Sequence, residues 1–304
     1  MSALELPSSL ASRLGVCSWS LLADDSATLV ERVHATGLSR VQLSMTPVFD
    51  DPRKWADVFD RLKREGIEVV SGMISPYGED YASLASIRAT GGVLPDGMWE
   101  RNLAMCEGVA DLAKEHGVKT LTFHAGFVPH DPQDPTFGKV RDRLAVIAGL
   151  CVERGVDLLL ETGQETAADL TVFLDAVDAA MGVVDSSFDV DVDVDVGEGV
   201  GVNFDPANML LYGKGDPIAA LTQLMPRVRQ VHLKDAIASG QAETWGSEEV
   251  VGTGQVDWPA FVGVLNDAGY DGELVIEREA GEARVDDVRA AAEHIARLWP
   301  EVSA

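Results

Sequence analysis

Short apolar runs alternate with longer stretches of helical periodicity eight times along this 304-residue chain, and that alternation limits its fold more than any other feature. The runs at 14–19, 40–43, 67–74, 118–124, 156–162, 200–205, 229–234 and 272–277 have strand length and β-branched content. Between them lie helical patterns at 26–35, 52–65, 99–116, 137–151, 166–181, 217–225, 258–268 and 285–298. Gly37, Gly66 and Gly117 stand where helix stops are expected. Regular alternation implies parallel strands joined by helical crossovers, and eight such units are what a (β/α)8 barrel requires. An open doubly wound sheet would want a glycine-rich turn after the first strand, and Cys17-Ser18-Trp19-Ser20 is not one. With no break in composition, residues 1–304 read as one α/β barrel domain. The stretch 75–98, rich in Gly and Pro, reads as a loop. An acidic low-complexity insertion at 185–199 holds Asp189-Val-Asp-Val-Asp-Val-Asp-Val196. It lacks the glycine and terminal Glu of an EF-hand loop and is expected on the barrel face opposite the strand C-termini.

In Arg229-Gln-Val-His-Leu-Lys-Asp235 the apolar Val231 and Leu233 alternate with His232 and Lys234. An extended backbone sends the two pairs to opposite faces, so a barrel strand would aim His232 and Lys234 inward, toward the mouth. Three other runs end in an ionisable side chain: Glu161, Asp205 and Glu277. On consecutive barrel strands these ends surround one mouth. Three carboxylates and an imidazole make an oxygen-rich set for one divalent metal, Mn²⁺ first, then Mg²⁺, Co²⁺ or Zn²⁺. The bland alternative is that acids close strands as helix caps, and Asp205, followed by Pro206, is open to it.

Several neighbours carry two readings each. Lys234 either steadies a developing oxyanion or pairs with Asp235 or another carboxylate. His124 either binds a substrate hydroxyl or makes a core hydrogen bond. Trp19 stacks on a sugar face or packs in the core. Glu165 orients a ligand or stabilises a helix N-terminus. Arg278 points away from Glu277 and is expected to pair with Glu279 or another acid. Gly252-Thr-Gly254 reads as loop geometry before Asp257, a good N-cap.

Net charge of -26 disfavours nucleic acid and anionic membrane as partners, since both are polyanions. No apolar run approaches membrane-spanning length, and the N-terminal stretch has no basic and apolar signal pattern, so a soluble cytoplasmic protein is expected. Cys17, Cys106 and Cys151 are odd in number and widely spaced, which fits reduced buried thiols rather than a disulfide framework.

Leu158-Leu-Leu-Glu-Thr-Gly-Gln-Glu165, Asn203-Phe-Asp-Pro-Ala-Asn208, Val231-His-Leu-Lys-Asp235, Gly252-Thr-Gly-Gln-Val-Asp-Trp258 and Leu274-Val-Ile-Glu-Arg-Glu279 together resemble the xylose-isomerase-like TIM-barrel family. The likeness runs from the first strand to the last helix. It implies that Glu161, Asp205, His232 and Glu277 hold one divalent metal, with Glu161 and Glu277 as catalytic bases; by position His124, Asn208, Lys234 and Trp19 are expected about the substrate. A small-molecule carbohydrate is the implied partner, and assembly into a homo-oligomer stays open. A metal bridging a carbonyl and its neighbouring hydroxyl would acidify the adjoining C–H and stabilise an enediolate.

Two departures matter. Asn208 stands where the ketose 3-epimerases of this family carry histidine. The loop after strand seven has no histidine for the extra metals of the related nucleases. No cluster of Arg marks a phosphate site. Three functions remain: a metal-dependent isomerase or epimerase of a ketose or polyol-derived sugar, a lyase of the inosose dehydratase kind, and a non-catalytic carbohydrate-binding barrel.

Overall fold

Eight strands lie side by side, all parallel, and the last closes onto the first. The computed structural model describes residues 4–185, 199–241 and 243–300. The barrel is built from β1 (Leu14–Cys17), β2 (Arg40–Ser44), β3 (Glu68–Ile74), β4 (Thr120–Phe123), β5 (Asp157–Glu161), β6 (Gly201–Phe204), β7 (Val228–Leu233) and, after a two-stranded hairpin of β8 (Asp235–Ile237) and β9 (Ser247–Glu249), β10 (Glu273–Ile276). Around the barrel the order is β1, β10, β7, β6, β5, β4, β3, β2. This is the expected (β/α)8 TIM barrel. Among the described residues no helix is long and apolar enough to cross a membrane.

The period-2 rule divides each strand's side chains between two environments. Val16, Val41, Leu43, Leu121, Phe123, Leu158, Leu160, Val202, Phe204, Val231, Leu233, Leu274 and Ile276 join the apolar layer packed under the helices. The alternate positions turn inward, and there the buried residues are largely polar: Gln42, Ser71, Thr122, Asn203, Gln230 and His232. TIM-barrel interiors are more often filled by branched aliphatic side chains. The polar interior here marks where chemistry is supported.

Helix starts follow a repeated local code. Asp134, Asp205 and Asp216 each precede a proline and accept a hydrogen bond from a backbone N–H of the first turn, while Asp257 caps Ala260 N–H one residue before Trp258-Pro259. Aspartate satisfies the orphan donors and proline at the first helical position loses no bond.

Local differences from the sequence reading have physical causes. Strand one ends at Cys17, and Trp19 lies in the 3-10 turn Ser18–Leu21 just beyond it. A helix at Met45–Asp50 tolerates Pro47 because it sits in the first turn, and the following helix starts at Val58 rather than near 52. The stretch 75–98 contains the helix Leu84–Thr90, held by a Ser83/Ser86 capping box. Lys234 falls just past the end of β7, and Asp235 opens the hairpin. Of the expected acidic insertion at 185–199, residues 186–198 lie outside the described residues; its flanks, the helix ending at Asp185 and the strand starting at Gly201, meet at the N-terminal end of the barrel.

Candidate active site

The four ionisable strand ends converge. One ligand atom from each of Glu161, Asp205, His232 and Glu277 lies within 4.8 Å of the others. His232 Nδ1 stands 3.3 Å from Glu161 Oε1, 3.4 Å from Glu277 Oε2 and 3.9 Å from Asp205 Oδ2. All are buried, with relative exposures of 5, 0, 0 and 4% for Glu161, Asp205, His232 and Glu277.

The imidazole is set by residues on the far side of the barrel. Thr122 Oγ1 accepts from Gln42 Nε2 at 2.7 Å, which turns the Gln42 carbonyl toward His232. Gln42 Oε1 then accepts from His232 Nε2 at 2.7 Å. A carbonyl oxygen can only accept, so this contact, shorter than the 3.1 Å from Nε2 to Asn203 Nδ2, puts a proton on Nε2 and turns Nδ1 toward the carboxylates. A ring held by its outer nitrogen is how proteins orient a metal-binding histidine. Cys17 also lies near His232 and Glu277, but burial pushes its thiol up to about 12, so it is a neutral donor on the Nε2 side.

Asp205 shows that cap and site are not exclusive. Its Oδ1 accepts from the N–H groups of Ala207 and Asn208 and starts the helix Pro206–Leu211. Its Oδ2 is buried and has no hydrogen-bond partner. Burial raises the Asp205 carboxyl to about 6 despite the Lys234 ammonium 4.0 Å away. Glu161 Oε2 and His232 Nδ1 are likewise buried without hydrogen bonds. Unmade bonds of this kind are costly unless a further group satisfies them. Three buried carboxylates share one Lys whose ammonium is also paired with Glu279, and a divalent cation would offset the negative charge that is left. The residues fit such an ion, and hard oxygen donors with one imidazole suit Mn²⁺, Mg²⁺ or Zn²⁺.

The two glutamates are held differently. Asn208 Nδ2 donates to Glu161 Oε1 at 2.9 Å, while Glu161 Oε2 faces His124 Nε2 at 3.3 Å. Burial pushes Glu161 up, but His124 and His232 bring it below the usual carboxylate value. Asn208 reaches Glu161 because Gly163 adopts φ +139°, where a Cβ would meet Asn208 Cβ at 2.4 Å. Glu277 has both oxygens engaged: Trp19 Nε1 donates to Oε1 at 2.7 Å and Lys234 Nζ to Oε2 at 2.9 Å. Burial opposes its charge, yet Lys234 and His232 hold it well below the usual range. Lys234 also binds Glu279 Oε2 at 2.5 Å, so of its two readings the structure favours pairing with carboxylates. Asp235, its neighbour, is occupied elsewhere: its carboxylate collects the N–H groups of Gly252, Gly254 and Val256 and the Trp258 indole, which folds the 252–258 loop.

All eight residues singled out in the sequence meet at this mouth. Trp19 donates to a carboxylate edge-on rather than presenting its ring as a platform alone. Glu165 is buried and raised to about 8 by desolvation, so it stands as a neutral acid in the cavity it lines with His124, Glu161 and Gln164. Arg278 points away from Glu277 and pairs with Glu248 and Asp287. Gln42, Thr122 and Glu279 were missed. Gln42, polar between Val41 and Leu43, carries the same alternation signal that exposed His232.

A family profile described as xylose isomerase-like TIM barrel matches residues 30–298. Inosose dehydratases of Bacillus thuringiensis (strain Al Hakam) and Bacillus cereus (strain 03BB102) are 24% identical over 163 residues, 48% of this chain and 48% of theirs. The match thus spans about half the length of these curated relatives. A xylose isomerase domain protein from Planctomyces limnophilus superposes with a TM-score of 0.77 at 28% identity, covering 88% of this chain and 91% of that one. A xylose isomerase-like TIM barrel protein from Mycobacterium smegmatis, solved with magnesium, gives 0.67 at 15% identity over 98% of both chains. D-psicose 3-epimerase in the presence of D-fructose gives 0.60 at 16%, covering 94% of this chain and 96% of that one.

Proposed function

This chain belongs to the xylose isomerase-like TIM barrel family, and we propose that it is a divalent-metal-dependent isomerase or epimerase of a ketose or polyol-derived sugar. One observation carries the reading: Asp205 Oδ2 and His232 Nδ1 are buried, lack hydrogen-bond partners and converge with Glu161 and Glu277. Glu161, Asp205, His232 and Glu277 would hold the ion. When bound, a divalent cation acts as a Lewis acid on a substrate carbonyl and its neighbouring hydroxyl, lowering the barrier to removal of the proton between them.

The side chains divide the remaining work. Glu161 Oε2 makes no hydrogen bond and faces only the His124 ring at 3.3 Å, so Glu161 is the better placed to take a proton from the carbon beside the carbonyl. Glu277, with Trp19 and Lys234 on its two oxygens, is the weaker base; the proton delivered on its side comes from Lys234 Nζ, 2.9 Å away, by way of the Glu277 carboxylate, while Glu161 keeps the one it removed. His124, 3.3 Å from Glu161, is positioned to exchange that proton or bind a substrate hydroxyl. Asn208 orients Glu161 and does not itself titrate.

A second reading, elimination of water from an inosose-type substrate, is favoured by the similarity to the two dehydratases. Proton removal would be the same, and His124 would donate to the leaving hydroxyl. Proton NMR in D₂O with a panel of ketoses and inososes separates the cases. Solvent deuterium at carbon without loss of water is the expected result. Loss of water establishes the lyase, and no exchange with any substrate overturns both in favour of a binding-only barrel.

A further inference from the structure

A second concavity opens on the same face of the barrel, outside the cluster already described. It is a cleft of about 340 Å³ walled by Arg88, Phe127, Tyr212, Lys214, the run Ala238 to Gln241, and Glu243 and Thr244. Its walls come from the segments that follow β3, β4, β6 and β8, all at the C-terminal face. That volume sits at the low end of small-molecule pockets, about 300–1,000 Å³. Tyr212 joins the two spaces: its hydroxyl accepts from Gln164 Nε2 at 3.4 Å, and Gln164 lines the inner cavity with Glu161 and His124.

The wall chemistry is specific. Aromatic residues make up 6% of the chain, yet three meet here, away from the helix–strand core. Tyr212 stands edge-on to Phe127 at 5.7 Å and to Trp245 at 4.9 Å between centroids. Such contacts fix ring positions, and they leave Tyr212 as a rigid amphipathic surface. Over the Phe127 ring, with its guanidinium 5.1 Å from the centroid, Arg88 donates to Glu243 Oε2 at 2.9 Å. Ser239, Gln241 and Thr244 add hydroxyl and amide groups at the rim.

We infer that this cleft is an outer sugar subsite, and that the substrate is a glycoside or oligosaccharide whose reacting ring sits at the Glu161, Asp205, His232 and Glu277 cluster. The inference rests on the function proposed above and names its substrate class. An apolar, partly aromatic wall suits the C–H face of a pyranose, and planar donors and acceptors facing it suit ring hydroxyls. An anionic group fits less well. Arg88 is already matched by Glu243, so the pair offers donors and acceptors in balance, and Lys214 alone adds net charge.

The test is binding, read without turnover. Cellobiose, maltose and sucrose are titrated into the manganese-loaded protein against glucose and fructose, with saturation-transfer NMR to report which ring is in contact. One disaccharide is expected to bind about tenfold more tightly than its component sugars, the amount one stacked ring supplies, with saturation on both rings. Phe127→Ala and, at a side chain 47% exposed, Arg88→Ala should each cut that advantage to about threefold or less with circular dichroism unchanged. Equal binding of mono- and disaccharides, an advantage that survives both substitutions, or tighter binding of glucose 6-phosphate or glucuronate than of any disaccharide overturns the subsite. Deuterium exchange reports the inner site separately. A disaccharide advantage without any exchange keeps the subsite and removes the isomerase, while exchange without the advantage does the reverse.

Discussion

The two faces of the barrel strands differ in kind. The outward face, typified by Phe204, Leu160 and Leu233, is apolar and packs under the helices. The inward face of the same strands carries Asn203, Glu161 and His232, one residue away in each case. Apolar burial outside is non-directional and tolerant, so stability is spread over many contacts. The polar interior is directional: Thr122 orients Gln42, Gln42 orients His232, and His232 faces three carboxylates. The scaffold's apolar layer thus lies apart from the charged centre it surrounds, with Asp205, which also caps the helix Pro206–Leu211, shared between the two.

If that separation holds, inward and outward substitutions should fail in different ways. The largest effect is expected from the ion itself. Chelation by EDTA, or His232→Ala, should abolish both bound metal and turnover while the thermal transition of the folded protein persists. Full activity of metal-stripped protein would remove the metal reading. Next come the glutamates. Glu161→Gln and Glu277→Gln should each lower turnover by about 10³-fold or more, because the amide keeps an oxygen but accepts no proton. Their deuterium wash-in should differ: slow exchange survives in Glu277→Gln, where Glu161 remains, and vanishes in Glu161→Gln. Equal loss in both, with metal retained, would point to a one-base isomerase or a lyase.

An outward change tests the other face. Phe204→Ala should cost about 3–5 kcal/mol by denaturant unfolding, from lost transfer energy and a cavity beside Phe261, while the folded fraction still binds one metal. Loss of metal from that folded fraction would show that the faces are coupled. Gln42→Leu sharpens the comparison from inside. Freed from its orienting partner, His232 should bind metal about 10–100-fold more weakly, with stoichiometry at saturation unchanged. Unaltered affinity would mean that Gln42 serves packing alone. The smallest effect should come from replacing 186–198 by a short linker. Its flanks lie at the opposite end of the barrel, so turnover should stay within about twofold.

Much of this was legible in the chain because it depends on local periodicity. A strand's alternation declares which residue points inward, and the end of each apolar run declares where the mouth begins. Glu161, Asp205, His232 and Glu277 were readable on that basis, as was the strand order. The same logic would have found Gln42 had neutral amides been weighed with charged groups. Asp205 was ambiguous from sequence because capping and ligation ask for the same residue type; only the tertiary structure shows one oxygen committed to each.

What the sequence determined, then, is every feature set by a repeat of two or of 3.6 residues, since these follow from backbone geometry alone. The pairings were decided by tertiary structure: Trp19 with Glu277 across 258 residues, Gln42 with His232 across 190, Asn208 with Glu161 across 47. The outer cleft belongs with them, assembled from segments after four different strands. Such contacts depend on barrel register, on side-chain rotamers and on one close approach at Gly163, and no local pattern in the chain encodes where separate strands bring their side chains together.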